Sequence, residues 1–482
     1  MTQSIFLRNS LSRKKELFHP LESGFIKMYA CGVTVYDECH IGHAMQAIYF
    51  DVMRKFLEHC GFKVTYVRNY TDVDDKIINR ARDLGVSPRK LVDDMIAAAK
   101  RDMQALHIRP ADFEPRVTET IPEIIAMIQD LIASGIAYRT DKGDVYFKVN
   151  QKKDYGKLSN RKPDELLSGT RELAGSEKID SLDFALWKND DVPDASWESP
   201  WGRGRPGWHI ECSAMAKKLL GKTFDIHGGG RDLIFPHHEN ELAQSECANQ
   251  TEFARYWLHS GLLTIKHQKM SKSLGNTISI QQFLKEWHCE VLRFAFLQNH
   301  YASNVNFAED VFRNCRKRLF YFYETLHEID AVEEASSVSD HSEALKELAR
   351  LDTEFEQAMR DDFNTPIALA VFSQTTRWAN QRLNDKKSDP TLLRKIAQFL
   401  RDKGRILGLL QEKPQDFIQS HKDKILSELE LSEATVLDQI RERQTAREQK
   451  NWAESDRIRA SLAEKGVNLH DRPHGTTWTI AV

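Results

Sequence analysis

Long apolar runs are missing from this chain. No stretch approaches the roughly 20 consecutive apolar residues that cross a bilayer, and Met1-Thr2-Gln3-Ser4 opens no signal-peptide core. The expectation is therefore no membrane association and a cytoplasmic location. Paired cysteines are missing too. Seven cysteines at irregular spacing, an odd number in 482 residues, do not make a disulfide framework and point to a reducing compartment. A basic excess is also absent: the formal charge is -3, so any contact with nucleic acid has to use local patches and shape. There is no internal repeat and no low-complexity tract. What remains is the composition of an ordinary soluble protein, long enough for several domains.

Residue patterning supplies the organisation. Strand-like Gly24–Gly32, helical Ala44–Cys60, strand-like Phe62–Tyr70 and helical Asp74–Leu84 alternate as in half of a doubly wound parallel α/β domain. From Pro110 to Arg205 the pattern breaks into one helix, Val117–Ser134, and polar strand and loop material, which reads as an insertion. The α/β pattern resumes with Trp208–Leu220, Thr223–His227 and a helix from Pro236. Cys31, Thr71 and His227 fall at the ends of these predicted strands, where ligands of such sheets bind. After Asn306 the chain is mainly helical, with Ala308–Ile329, Ser342–Arg360, Thr365–Asn384 and Pro390–Leu409 as a bundle rather than a coiled coil. A small helical unit, Glu433–Lys465, and a strand-like tail, Thr476–Ala481, close it.

Two short motifs carry chemistry. His40-Ile41-Gly42-His43 sits between a β-rich run and a helix, where unpaired N–H groups and imidazoles can reach the phosphates of a nucleotide. Lys269-Met270-Ser271-Lys272-Ser273, followed by Gly275-Asn276, supplies lysines that can close on charge developing at a leaving pyrophosphate. Together, in this order, the motifs resemble the two signatures of the class I aminoacyl-tRNA synthetases. The resemblance implies an α/β, doubly wound parallel-sheet (Rossmann-like) catalytic domain with an insertion, followed by a helical bundle and a small C-terminal domain.

A third constellation bears on the amino acid. Cys31, Cys212 in Gly207-Trp208-His209-Ile210-Glu211-Cys212, and Phe235-Pro236-His237-His238-Glu239-Asn240-Glu241 offer thiolate, imidazole and carboxylate ligands that suit tetrahedral Zn²⁺. His237 and Glu241, four apart on a helix, share a face, and His238 with Glu241, three apart, is also possible; spacing does not choose. These segments resemble the cysteinyl-tRNA synthetases, and that resemblance implies one zinc on Cys31, Cys212, His237 and Glu241.

The activity so implied is ATP-dependent activation of L-cysteine and its transfer to the 3′ end of tRNA(Cys). His40, Gly42 and His43 are assigned to the triphosphate, Lys269 and Lys272 to pyrophosphate, and Gly228-Gly229-Gly230 to close approach around the nucleotide. ATP enters with Mg²⁺. Thr71, in a segment that otherwise reads as an Asp-capped helix start, is placed near substrate by the resemblance, with Trp208 and His227 as further walls of the cysteine pocket. An apolar pocket rejects a near-isostere by only about 10²-fold, so a metal–sulfur bond is the expected discriminator against serine.

The likeness extends over nearly the whole chain, through Asp361-Asp362-Phe363-Asn364-Thr365-Pro366 to Asn451–Asp456 and His474–Trp478. The expected division is 1–110 and 206–265 for the two catalytic halves, 111–205 for the insertion and 266–310 for the second signature and stem-contact region. A bundle at 311–410 and an anticodon-recognition domain at 411–482 complete it. Arg441, Arg443, Arg447 and Lys450 form a basic cluster, and Trp478 offers a stacking face for an unpaired base. A monomer is expected. The rival reading is a cysteine ligase that delivers the same adenylate to an amino sugar; it resembles the catalytic half but lacks the tail.

Overall fold

A computed structural model describes residues 4–161, 177–265, 268–269, 277–333, 342–385, 389–472 and 475–480. The chain forms two compact units. The first comprises Met1–Phe307, Thr353–Leu369 and Ile406–Gly408; the second comprises Ala308–Asp352, Ala370–Arg405 and Leu409–Val482. No helix among the described residues is long and apolar enough to cross a membrane.

In the first unit a hairpin, β1 (Phe6–Asn9) and β2 (Lys14–Leu17), precedes β3 (Phe25–Thr34), α1 (Ile41–His59), β4 (Lys63–Thr71), α2 (Asp75–Leu84) and α3 (Pro88–Ala105). The insertion supplies α4 (Ile121–Ala133) and strands β5 (Ala137–Arg139), β6 (Val145–Phe147), β7 (Phe184–Asn189) and β8 (Gly204–Pro206). The chain then adds α5 (Trp208–Leu220), β9 (Phe224–Gly230), α6 (Glu239–Asn249), β10 (Ala254–Ser260), β11 (Leu263–Ile265), β12 (Gln268–Lys269), α7 (Ile280–Glu286), α8 (Cys289–Leu297) and β13 (Val305–Phe307).

The central sheet has the order β10-β9-β3-β4, all parallel. From β3 the chain builds β4 on one side and returns to β9 on the other, so a crevice opens at the carboxyl ends of β3 and β9, where strand order switches. Near-continuous burial along β3 and β4, with no in-and-out alternation, suits strands covered on both faces. In α1, Ile41, Ala44, Met45, Ile48, Val52 and Phe56 repeat at helical spacing and are buried. Ser87 caps α3, with Pro88 in its first turn, and Asp74 caps α2 by accepting from the Lys76 N–H at 2.8 Å.

The insertion packs as part of the first unit. Its antiparallel β5-β6-β7-β8 sheet and helix α4 share one hydrophobic core with Tyr29 and Cys31 of β3, Ile210 and Cys212 of α5, and Trp257 of β10. The expected helix Val117–Ser134 is interrupted at Thr120, with a single 3₁₀ turn, Val117–Glu119, before α4. Two strand ends also differ from expectation. Cys31 lies inside β3, at the register break between Ala30 and Val33, and β9 runs on through the glycines to Gly230, which leaves His227 in mid-strand. Of the three, only Thr71 ends its strand.

The second unit carries α9 (Glu309–Asp330) and the parts of α10 (Ser342–Arg360), α11 (Thr365–Leu383) and α12 (Pro390–Leu407) that belong to it. They are followed by α13 (Pro414–Glu428), α14 (Glu433–Glu448), α15 (Trp452–Glu464) and a hairpin, β14 (Val467–Arg472) with β15 (Gly475–Ile480). The single expected helical unit, Glu433–Lys465, is two helices, broken where Lys450 takes a φ of 59°. A small separate core of Ile425, Leu426, Val436, Ile458, Leu462, Val467 and Leu469 holds α13 to α15 and the hairpin together.

Candidate active site and metal centre

A cavity of about 340 Å³ opens at the carboxyl ends of the central strands. Its wall takes Cys31 to Thr34 from β3 and its exit, Asn69 and Thr71 from β4, Gly230 from β9 and Ser260 from β10. His40, Gly42, His43 and Gln46 come from the start of α1, and Trp208 and Cys212 from α5.

The first signature builds its own scaffold. His40 is the N-cap of α1: its Nδ1 accepts from the Gly42 N–H at 3.2 Å, while His43 Nδ1 accepts from the His40 N–H at 3.3 Å. This reciprocal cap is made by imidazoles where Ser and Glu are more usual. The two rings stack with centroids 3.7 Å apart. Because both Nδ1 atoms accept, each neutral ring carries its proton on Nε2 and presents an N–H donor. Gln46, one turn on, donates from Nε2 to the Cys31 carbonyl at 2.7 Å and so ties α1 to the distorted part of β3.

Cys31, Cys212, His237 and Glu241 converge, each buried. A tetrahedral Zn²⁺ with Zn–S near 2.3 Å and Zn–N or Zn–O near 2.0 Å needs S···S edges of roughly 3.8 Å and S···N or S···O edges of roughly 3.5 Å. Cys31 Sγ lies 3.8 Å from Cys212 Sγ, 3.5 Å from His237 Nε2 and 3.4 Å from Glu241 Oε1. The donor set fits such an ion. The His237 Nε2 to Glu241 Oε1 edge, 2.7 Å, is that of a charge-assisted hydrogen bond, in which a proton holds the pair together.

A second group, Cys31, His227, His238 and Glu241, meets the same distance limits. It differs in access. Cys31, Cys212 and His237 line the cavity, whereas His227 and His238 lie behind it, 0% exposed. His238 Nε2 lies 3.3 Å from Cys31 Sγ but 4.0 Å from Glu241 Oε1, and its Nδ1 meets His259 Nε2 at 2.8 Å. The cavity-facing set is therefore the one a substrate can reach.

Electrostatics follow from burial and these contacts. The Cys31 thiol beside it, against the opposing effect of burial, brings the Cys212 thiol down to about 6. Burial pulls His237 down, but Glu241 and Cys212 outweigh it and raise the imidazole to about 10. Burial also opposes ionisation of Glu241, yet His237 and His227 hold its carboxyl well below the usual range. Without metal, protons occupy positions that a divalent cation would take, so metal binding displaces them.

Neighbouring segments set the ligand helix. Glu239 accepts from the N–H groups of Gly156, at 2.9 Å, and Ser159, at 2.7 Å. Asn240 accepts from the Tyr155 hydroxyl at 2.5 Å. Two polar residues of the motif thus anchor the helix to the insertion rather than reach the cavity. His227 Nε2 meets Glu241 Oε2 at 2.8 Å, and its ring stacks on Trp257.

Other expected site residues are distributed as follows. Thr71 and Trp208 line the cavity; the Trp208 indole, 38% exposed, stacks on His237 with centroids 4.3 Å apart. His227 does not form a pocket wall, because mid-strand burial turns it onto the back of Glu241. Within the triple glycine, only Gly230 lines the cavity. A Cβ on Gly228 would come within 2.2 Å of the Phe50 ring and one on Gly229 within 2.7 Å of His238, so packing of α1 and the histidine cluster requires those two. Lys269 belongs to β12, whose backbone pairs with Thr264; Lys272, Gly275 and Asn276 lie outside the described residues.

Sequence reasoning missed Gln46, one helical turn from His43, and Asp232, which lines the cavity two residues after the last glycine. Helical spacing from His43 was the available signal for Gln46. In the tail, Arg443 is 4% exposed and pairs with both oxygens of Asp471 at 2.8 Å, and Arg447 reaches the same carboxylate at 3.1 Å. Trp478 packs on the small core with Lys422 5.2 Å over its ring. The expected basic cluster and stacking face are largely used within the fold, while Trp452 is 59% exposed.

Comparison with known proteins gives the family. Family models described as "tRNA synthetases class I (C) catalytic domain", "DALR domain" and "Cysteinyl-tRNA ligase anticodon binding domain" match residues 17–317, 354–411 and 433–478. The chain is 47% identical over 475 residues to the cysteine–tRNA ligase of Legionella pneumophila subsp. pneumophila, covering 98% of this chain and 99% of the relative. It is 46% identical to that of Azotobacter vinelandii, covering both chains in full. A Mycobacterium tuberculosis methionyl-tRNA synthetase in complex with methionyl-adenylate shares the fold at a TM-score of 0.60 and 14% identity, covering 82% of this chain and 93% of that one. With the signature helix, the convergent donors and near-full-length identity in agreement, the chain belongs to the cysteinyl-tRNA synthetase family of class I.

Proposed function

We propose that this chain activates L-cysteine with Mg²⁺-ATP and transfers it to the 3′ end of tRNA(Cys), with one Zn²⁺ per chain held by Cys31, Cys212, His237 and Glu241. The observation that carries the reading is that Cys31, Cys212 and His237 share one cavity wall with His40 and His43. When bound, zinc supplies a preference for a thiolate over a serine hydroxyl.

The chain's own residues do the positioning. The Nε2–H groups of His40 and His43, fixed by the reciprocal cap, donate to the triphosphate. Lys269 and Lys272 neutralise the departing pyrophosphate. Thr71 and Trp208 bound the amino acid, and His227 orients the Glu241 carboxylate from behind. Attack of the cysteine carboxylate on the α-phosphate needs alignment and charge stabilisation more than covalent help from the protein.

For the domains, we assign 1–110 and 206–265 to catalysis, 111–205 to the insertion, 266–310 to the second signature and stem contact, 311–410 to the bundle and 411–482 to anticodon recognition. The enzyme acts as a cytoplasmic monomer. The C-terminal match to an anticodon binding domain favours tRNA over an amino-sugar acceptor. The test is cysteine-dependent ATP–pyrophosphate exchange with serine as control, alongside metal content. Cys212→Ser should lower metal content and cysteine activation together; full activity without metal would remove the discrimination mechanism.

A further inference from the structure

Thr71 ends β4 at the cavity wall, 4% exposed, and its hydroxyl donates to Glu211 Oε2 at 3.3 Å. Asn69 Nδ2 lies 3.5 Å from the same hydroxyl oxygen, and Asn69 Oδ1 accepts from the Gly32 N–H at 2.9 Å. A threonine hydroxyl has one proton and two lone pairs. With its proton committed to Glu211 and one lone pair turned to Asn69, what remains toward the cavity is an acceptor.

Glu211 is 1% exposed, one residue before Cys212 on α5. A carboxyl buried this deeply is costly unless something compensates it. The Thr71 hydroxyl is the partner that meets its Oε2.

We propose that Glu211 is a positioning residue that fixes the Thr71 hydroxyl as an acceptor for the α-ammonium of the amino-acid substrate. The proposal rests on the cysteine-activation reading above. It assigns the two ends of the substrate to separate groups: the thiol to the Cys31, Cys212 and His237 side of the cavity, the ammonium to Thr71 backed by Glu211.

The test uses the full-length, metal-loaded enzyme and two ligands. Cysteine is measured by the KM of ATP–pyrophosphate exchange. 3-Mercaptopropionate, which keeps thiol and carboxylate but lacks the ammonium, is measured as a competitive inhibitor. Glu211→Met and Thr71→Val should each raise the cysteine KM about tenfold, the scale of one hydrogen bond to a charged group, with the 3-mercaptopropionate constant within about twofold of wild type. Glu211→Gln, which keeps an acceptor oxygen, should recover most of the loss. In the Thr71→Val background Glu211→Met should add nothing further. Equal weakening of both ligands, or the same loss from Glu211→Met in both backgrounds, would overturn the assignment. If Glu211→Met fails to fold, Thr71→Val with the two ligands decides by the same criterion. Wild-type enzyme without cysteine-dependent exchange would instead overturn the activation reading itself, and this proposal with it.

Discussion

The backbone N–H of Ile41 donates to the carbonyl of Ile278 at 3.1 Å, and the Ile280 N–H returns the contact to the Cys39 carbonyl, also at 3.1 Å. His40 and Ser279 form the bridge between them. The chain leaving the second signature is therefore stitched to the residues flanking the first. Residues 39–41 and 278–280, far apart in sequence, thus share a short antiparallel bridge beside the cavity-lining imidazole of His40.

Lys272, assigned to the departing pyrophosphate, should act on the reacting phosphates rather than on substrate affinity. Lys272→Ala is expected to slow single-turnover adenylate formation by about 10²-fold, the effect of losing one transition-state donor, while the cysteine dissociation constant stays near wild type. A change confined to cysteine affinity would contradict the assigned role.

The triple glycine makes a separable prediction. Gly228→Ala drives a methyl into the Phe50 ring, so the thermal midpoint should fall with a cost of about 1–3 kcal/mol from overpacking, and the KM for ATP should be unchanged. Adding Phe50→Leu should recover part of the stability. A raised KM for ATP at unchanged stability would return Gly228 to the nucleotide site.

How much of this was legible beforehand differs by residue. The parallel α/β order and the signature helix could be read because β3, α1 and β4 are long and their burial follows the periodicity of their type. The candidate ligands Cys31, Cys212, His237 and Glu241 were proposed through motif resemblance; spacing alone left His237 and His238 equal, and the cavity-facing geometry is what distinguishes them. His227 was misread because glycines look like the end of a strand, whereas β9 continues through Gly228 and Gly229, whose lack of a side chain admits Phe50 and His238. The partners of Glu239 and Asn240 lie some eighty residues upstream, in polar loop sequence with no periodic signal.

Asp51 yields a pH prediction. It is 3% exposed, and its Oδ2 accepts from Lys55 Nζ at 2.8 Å and Arg293 Nη1 at 2.9 Å. Arg293, 1% exposed, also holds the Leu106 and His107 carbonyls. Burial pulls the Asp51 carboxyl up, but Arg293 and Lys55 outweigh it and hold it below the ordinary carboxylate value. A depressed folded value means that the stabilisation is present above the unfolded value of about 4 and is lost as the pH falls through the lower, folded value. Asp51→Asn leaves the Arg293 charge buried without its anion, at a cost of about 3–5 kcal/mol at pH 6. The gap in thermal midpoint between wild type and variant should narrow towards pH 3; a constant gap would sink the linkage.

A truncation separates amino-acid activation from tRNA charging, and the structure fixes where to cut. Ending the chain near Leu410 would strip α13 from α9, where Phe417 stacks on Tyr323 with centroids 3.8 Å apart and Glu428 accepts from Arg316 at 3.1 Å. A cut after Glu430 keeps α13 and removes α14, α15 and the hairpin with the exposed Trp452. It also removes the α14, α15 and hairpin share of the small core that Ile425 and Leu426 join, so native helicity must first be checked by circular dichroism. The folded truncation should keep cysteine-dependent pyrophosphate exchange within about twofold of wild type, since the cavity residues all precede Thr264. It should charge tRNA(Cys) poorly, and Trp452→Ala in the full chain should reproduce part of that loss, because base stacking on an exposed indole is worth about 1–3 kcal/mol. Equal charging by truncated and full-length enzyme would remove anticodon recognition from the tail.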